Sequence, residues 1–508
     1  MRMLCCPLHR ALLSVALPMI LGLSARAASD QPAQPIPAGQ VIETLHTLEN
    51  PSQSYALYLP STYTADRTWP LLMAFDPSAE GIEPVRLFRE AAEKYGYIVV
   101  GSNNSRNGPT RRSADAFNAM WQDLHTRFRL DDRRIYAAGF SGAARFSSLV
   151  ASSCQCMAGV ILSGAGFPPD RAPAPGLKFA VYTAVGNFDF NYPELIQLRL
   201  ALERSQIAHH LDIFDAGHQW LPPELARAAL EWFNLQAMAS GALPRDEAFV
   251  TAQWTERLRQ AQAQEQSRDV YQAYYSYSSL VDDFRALRDV AEAKSAVERL
   301  RNSAEFHRAQ ASIDDQIRKQ NSISNPIIAR MGSVVSNPAG GDAGFSQPPG
   351  PGANPGRPAS GVGSVEQDSS GPVQNTRQQL EGELAGLRKQ RERETNPEKL
   401  AVIRRAQGAV IGYAYDSGMT LMDNKNYRAA ALYFELATLA GPKSSAGLHY
   451  HAAAAYSLAG DKKQALRILR QAVAEGFDDR VRLEKDPDFE RLRSTPEFEA
   501  LVAKLPAK

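Results

Sequence analysis

Residues 135–145, Ile-Tyr-Ala-Ala-Gly-Phe-Ser-Gly-Ala-Ala-Arg, constrain this chain more than any other stretch. An apolar run suited to a buried strand ends in Gly139-Phe140-Ser141-Gly142-Ala143, and helix-compatible residues 143–153 follow at once. A strand that becomes a helix within one tight bend forces strained backbone angles on the residue at the bend. The bend closes only if small residues stand two places before it and two places after it. Gly139 fills the first place; Ala143 fills the second, one methyl larger than the glycine more often found there. The Ser141 hydroxyl would then sit at a helix N-terminus, where the Gly142 N–H can point at a developing oxyanion. A Gly/Ser-rich turn between any strand and helix uses the same residues, so the rest of the chain has to decide.

The flanking pattern alternates. Residues 54–59 read as an early strand, 69–75 as a continuous apolar strand buried on both faces, 84–95 as a helix and 97–100 as a strand. A helix over 111–128 precedes the bend, and buried strands over 158–162 and 178–185 follow it. Next come a helix over 192–205, a last strand over 209–214 and a last helix over 222–237. Strands alternating with helices predict an α/β fold with a mainly parallel sheet covered on both faces. Chemistry in such sheets gathers beyond the C-terminal strand ends. Five polar loops meet that condition: 76–78, 102–106, the bend itself, 186–189 and 215–218.

The order of residues in those loops is informative. Ser141 follows one strand, Asp189 a later strand, and His218 the last strand. A serine is a weak nucleophile until a histidine takes its proton, and that histidine needs a carboxylate to fix its tautomer. On Gly139-Phe140-Ser141-Gly142-Ala143, on Gly186-Asn187-Phe188-Asp189-Phe190-Asn191-Tyr192 and on Gly217-His218-Gln219-Trp220, residues of about 40–240 resemble an α/β-hydrolase of the esterase type. They stand near the dienelactone hydrolases and the polyhydroxyalkanoate-depolymerase-like esterases. The resemblance implies Ser141 as nucleophile, His218 as base, Asp189 as its orienting acid and an acyl-enzyme route. It implies a small-molecule or polymeric ester as substrate, and neither a metal nor a cofactor.

Asp215, three residues from His218, and Asp76, after the 69–75 strand, are rivals for the acid. Asp76-Pro77 also stands where esterases of this type usually carry a His-Gly pair and draw an oxyanion N–H from just beyond it. Pro77 has no N–H to give, which leaves the Ser78 backbone as the second candidate donor beside Gly142.

A net charge of +1 and the lack of a basic block with interleaved aromatics give no reason to expect nucleic acid as a partner. Residues 1–27 read as an export signal. Arg2, His9 and Arg10 precede a 13-residue apolar run over 11–23, and Ala25-Arg26-Ala27 offers a cleavage site. The run is too short and too broken by Pro18 and Gly22 to span a bilayer comfortably, so a periplasmic or secreted protein without a membrane span is expected. Cys5 and Cys6 would leave with the signal. Cys154 and Cys156 would remain; a bridge between them closes a small strained ring, and one buried thiol beside one more exposed thiol is the plainer expectation.

The second half differs. After an α/β-hydrolase domain over 28–240, a helical segment is expected over 241–330. A flexible Pro/Gly/Ser-rich linker is expected over 331–375. Over 376–508, Gly418, Tyr427, Ala430, Phe434, Ala437 and Pro442 match the tetratricopeptide spacing. Tyr456, Gly460, Ala465, Leu469 and Ala472 form a second copy, and a third, degenerate helical unit is expected over 486–505. Two repeats are too few for a long groove, so the region reads as a docking module, for self-association or a protein partner. All three triad candidates precede residue 240, so the chemistry is expected to reside wholly in the first half. The competing expectation is a scaffold that uses the hydrolase fold and the repeats for docking alone.

Overall fold

The structure is a computed structural model and describes residues 36–108, 110–336, 370–442 and 445–506. The expected export signal and the middle of the expected linker lie outside the described residues. The compact unit that begins at Ala38 holds all that follows.

Its first part is an eight-stranded sheet. Strands β1 (Val41–His46), β2 (Ser54–Tyr58) and β3 (Trp69–Phe75) lead to helix α1 (Ile82–Tyr95) and β4 (Ile98–Ser102). Helix α2 (Thr110–Arg127), β5 (Leu130–Phe140), α3 (Gly142–Cys154), β6 (Gly159–Ser163) and β7 (Ala180–Gly186) follow. Helix α4 (Tyr192–Arg204), β8 (His209–Phe214) and α5 (Pro223–Ala239) close the part. The strand order is β1-β2-β4-β3-β5-β6-β7-β8, with β2 antiparallel to both its neighbours and the remaining pairs parallel. The sheet is therefore mostly parallel. β1 had no sequence signature, because Val-Ile-Glu-Thr-Leu-His pairs on one edge only and stays half exposed.

The central strands read as apolar runs because both their faces are covered. On one face Leu72, Tyr136 and Tyr182 meet Val85 and Phe88 of α1 and Leu230 and Phe233 of α5. On the other, the Phe75 ring packs against Phe146 of α3 at 5.1 Å and Phe117 of α2 at 6.5 Å. Phe75 pairs with Gly139, Phe140 with Ser163 and Gly186 with Phe214, so β3, β5, β6, β7 and β8 end along one rim.

The rest is helical. α6 (Glu247–Gln266), α7 (Val270–Phe284) and α8 (Ala291–Arg301) share a core with Leu235 of α5, built on Trp254, Tyr277, Phe284 and Leu300. The Asp246 and Asp269 carboxylates cap the first two of these helices. α9 (Ala304–Ser336), α10 (Ser370–Arg393), α11 (Pro397–Asp423), α12 (Tyr427–Ala440), α13 (Ala446–Leu458), α14 (Lys462–Ala474), α15 (Arg480–Lys485) and α16 (Pro496–Val502) form a second cluster around Leu384, Val410, Phe434, Tyr450 and Phe489. Helix thus extends into both ends of the stretch expected as linker, through Ser336 and again from Ser370. Buried Met331 joins the core there, which explains why the helix continues past Pro326. Gly418 lies against the Phe434 ring, where a Cβ would come within 2.6 Å. No helix among the described residues is long and apolar enough to cross a membrane.

Candidate active site

The bend after β5 is as tight as its sequence demands. Ser141 adopts φ 54° and ψ −125°, in the left-handed region that a side chain enters only under constraint. A Cβ on Gly139 would lie 2.2 Å from the Ala143 carbonyl oxygen, so residue 139 has no room for a side chain. Ala143 itself is buried, and its methyl is accommodated. The Ser141 N–H donates to the Ser163 carbonyl at 2.9 Å, tying the bend to the neighbouring strand end.

The three residues singled out by chain order meet at the rim. His218 Nε2 stands 2.8 Å from Ser141 Oγ, and His218 Nδ1 stands 3.0 and 2.9 Å from the two Asp189 oxygens. Asp189 is fully buried, and its Oδ1 also accepts the Asn191 N–H at 2.8 Å. Phe140 and Phe190 both lie against the imidazole, with ring centroids at 4.6 and 4.4 Å. The Leu221 N–H donates to Ser163 Oγ, anchoring the histidine loop to β6.

The rival carboxylates are engaged elsewhere. Asp215 accepts from the Asn187 side chain at 2.9 Å. Buried Asp76 accepts the Trp220 indole N–H at 2.9 Å and the Ser78 N–H at 2.8 Å. That last bond corrects the expectation for Ser78, whose backbone donor is committed to its own loop. The Gly142 N–H has no acceptor among the described residues. Beside it lies the Asn107 amide, whose Oδ1 and Nδ2 would come within 2.1 and 3.0 Å of a Cβ at position 142. Asn107 ends the loop over 102–107, for which the sequence left two readings open, a wall on the acyl or leaving-group side and a solvated polar turn; the structure places Ser105, Arg106 and Asn107 in the lining of the cleft at Ser141.

The two cysteines are also corrected: Cys154 and Cys156 are joined by a disulfide. Gln155 between them takes a left-handed conformation (φ 52°), which ends α3 and folds the chain back until the Cα atoms are 5.1 Å apart.

Ser141 opens onto a cleft of about 1580 Å³. Its floor runs between α2 and α3 past Phe117, Phe146 and Leu149. Its roof comes from the C-terminal half, with Gln320 and Ser324 of α9 and Gly412, Tyr413, Asp416 and Met419 of α11. Ser141, Asp189 and His218 thus all precede residue 240, while α9 and α11 of the second half contribute walls of the cleft they open onto. Asp416 faces the cleft, and the surrounding walls raise its carboxyl above the usual range against the opposing pull of His218 and Arg145. Arg145 is held by a bidentate pair with Glu194 at 2.7 Å. The small-residue spacing Gly408-x-x-x-Gly412 was the one visible sign of a close packing partner for α11.

No protein-family model matches the chain, and no curated protein matches it. Among solved structures, an S-formylglutathione hydrolase from Staphylococcus aureus aligns at 13% identity and a TM-score of 0.32, over 39% of this chain and 98% of that one. A feruloyl esterase module from Clostridium thermocellum aligns at 15% identity and 0.31, over 38% and 86%. An esterase from Pyrobaculum calidifontis aligns at 12% and 0.33, over 40% and 87%. These structures correspond to two-fifths of the chain at most, and the reading of the fold rests on the strand order itself.

Proposed function

We propose that the protein is a serine hydrolase of the α/β-hydrolase type that cleaves carboxylic esters through an acyl-enzyme. The observation that carries this reading is the continuous relay from buried Asp189 through His218 to the strained Ser141, with both links at 2.8–3.0 Å. Ser141 Oγ attacks the ester carbonyl while His218 Nε2 takes its proton, and Asp189 stabilises the imidazolium. The alkoxide oxygen develops beside the Gly142 N–H, which has no acceptor among the described residues. His218 then protonates the departing alcohol and deprotonates the water that regenerates Ser141.

The reading includes export. Its support is the order of charged, apolar and Ala-x-Ala segments at residues 1–27, together with a disulfide of a kind that persists in oxidising compartments. It also includes α11–α14 as two tetratricopeptide-type hairpins, supported by the Gly418–Phe434 approach at the expected positions. A fluorophosphonate probe tests the central claim: it should label the wild-type chain and leave Ser141→Ala unlabelled, and the same substitution should abolish hydrolysis of p-nitrophenyl acetate. A folded Ser141→Ala chain that keeps wild-type turnover would refute the assignment of Ser141, whereas a wild-type chain that neither takes the probe nor hydrolyses the ester would favour the docking scaffold.

A further inference from the structure

The loop that carries Asp189 is gripped from the far half of the chain. Arg405 of α11 donates from Nη1 to the Asn187 carbonyl at 2.8 Å, from Nε to Gln320 Oε1 at 3.0 Å and from Nη2 to Gln316 Oε1 at 3.0 Å. Gln320 in turn donates to the Phe190 carbonyl at 2.9 Å. Two carbonyls that flank Asp189 are thus held by one network. Arg405 is only 2% exposed, and its partners among the described residues are neutral amides, a carbonyl and the Tyr192 ring, whose centroid lies 4.7 Å away. Burying a guanidinium without a carboxylate is expensive. The planar fork is what satisfies three acceptors at fixed angles, and an ammonium cannot reproduce it.

A second contact reaches the histidine. Gly408 and Gly412 form a notch in α11 that receives the Phe190 ring; a Cβ at 412 would lie 2.9 Å from that ring, and one at 408 would lie 3.3 Å from it. The same ring stands 4.4 Å from the imidazole of His218. The α11 backbone, the Phe190 ring, the imidazole and Ser141 Oγ therefore form one packed row.

We propose that α11 is a working wall of the active site, in which Arg405 and the Gly408/Gly412 notch are positioning residues for Asp189 and His218. This rests on the serine-hydrolase reading and goes beyond it, because it makes the C-terminal half a condition of turnover. Misplacing reacting groups by about 1 Å costs on the order of a hundredfold in rate, and the Phe190 ring touches the notch on one side and stands 4.4 Å from the imidazole on the other, so a methyl that displaces the ring displaces the histidine's neighbour.

The test uses the full-length chain, with rates on p-nitrophenyl acetate expressed per serine titrated by fluorophosphonate and with Tm recorded for each variant. Gly412→Ala should lower kcat by about tenfold or more with KM nearly unchanged. Adding Phe190→Leu in the same background should restore most of that loss by removing the clashing ring. Arg405→Lys should fall as far as Arg405→Met, because the fork and not the charge holds the loop. The proposal is overturned if the rate per labelled site in Gly412→Ala stays within twofold of wild type, or if Phe190→Leu brings no recovery. It is also overturned if Arg405→Lys behaves as wild type. A wild-type chain that takes no fluorophosphonate overturns the hydrolase reading, and this proposal with it.

Discussion

Asp189→Asn separates the role of the buried carboxylate from its mere presence. Asp189 Oδ1 accepts the Asn191 N–H at 2.8 Å, while both oxygens face His218 Nδ1 at 3.0 and 2.9 Å. An asparagine has one oxygen, and the Asn191 backbone donor needs it, since an orphaned buried N–H costs about 1–3 kcal/mol. The amide nitrogen is then left facing Nδ1, which must turn acceptor. The imidazole proton moves to Nε2, where it points at Ser141 Oγ and prevents that oxygen from giving up its own proton. The base is present but in the wrong tautomer. The expected fall in kcat is about 10³–10⁴, or roughly 4–5.5 kcal/mol at 1.36 kcal/mol per decade. The assay is steady-state hydrolysis of p-nitrophenyl acetate, with Asp215→Asn as a control that alters only the exposed contact to Asn187. An Asp189→Asn chain within tenfold of wild type, or an Asp215→Asn chain as impaired as Asp189→Asn, would refute the tautomer argument.

Two further outcomes follow from the packing and the charges. Phe233 is fully buried and stacks on Tyr136 at 4.2 Å, so Phe233→Ala should cost about 3–5 kcal/mol in urea unfolding followed by tryptophan fluorescence, and a loss below about 1.5 kcal/mol would contradict its place in the core. The Asp488 carboxyl is pushed up to about 6 by burial and by neighbouring Asp486, against the pull of Arg106. Its folded value exceeds the unfolded one of about 3.9, so its contribution to stability is present at low pH and is lost as pH rises through about 6. Asp488→Asn should therefore gain Tm relative to wild type between pH 5 and pH 8; a difference that stays flat or shrinks would contradict the shift.

The meeting of Ser141, His218 and Asp189 was legible because each of them follows a strand that the sequence announces. Trp69–Phe75 and Ala180–Gly186 are buried throughout since both faces are covered, and residues directly after such strands must lie on one rim. The polar edge strand β1 escaped notice for the opposite reason: its half-exposed residues carry no buried face to announce it. Ser78 was assigned a donor role from its place after β3, but the nearest carboxylate, Asp76, claims its N–H. That competition is settled by side-chain direction, which position in the chain does not reveal. The plainer expectation for Cys154 and Cys156 likewise failed on one dihedral, the left-handed Gln155 that turns the chain back on itself.

What the sequence determined by itself was local: a bend so tight that residue 139 cannot carry a side chain, the alternation of strands and helices, and the order Ser141, Asp189, His218. Turn sterics and periodic burial act over a few residues, so they are written in consecutive letters. Only the tertiary structure decided what covers the site. Arg405 meets the Asn187 carbonyl across 218 positions of sequence, and Gly412 meets Phe190 across a similar span. Periodicity tells which face of a helix is buried but not which partner buries it, and the glycines of α11 read equally well as contacts to a neighbouring repeat. The direction in which α11 docks turned them into the notch beside His218.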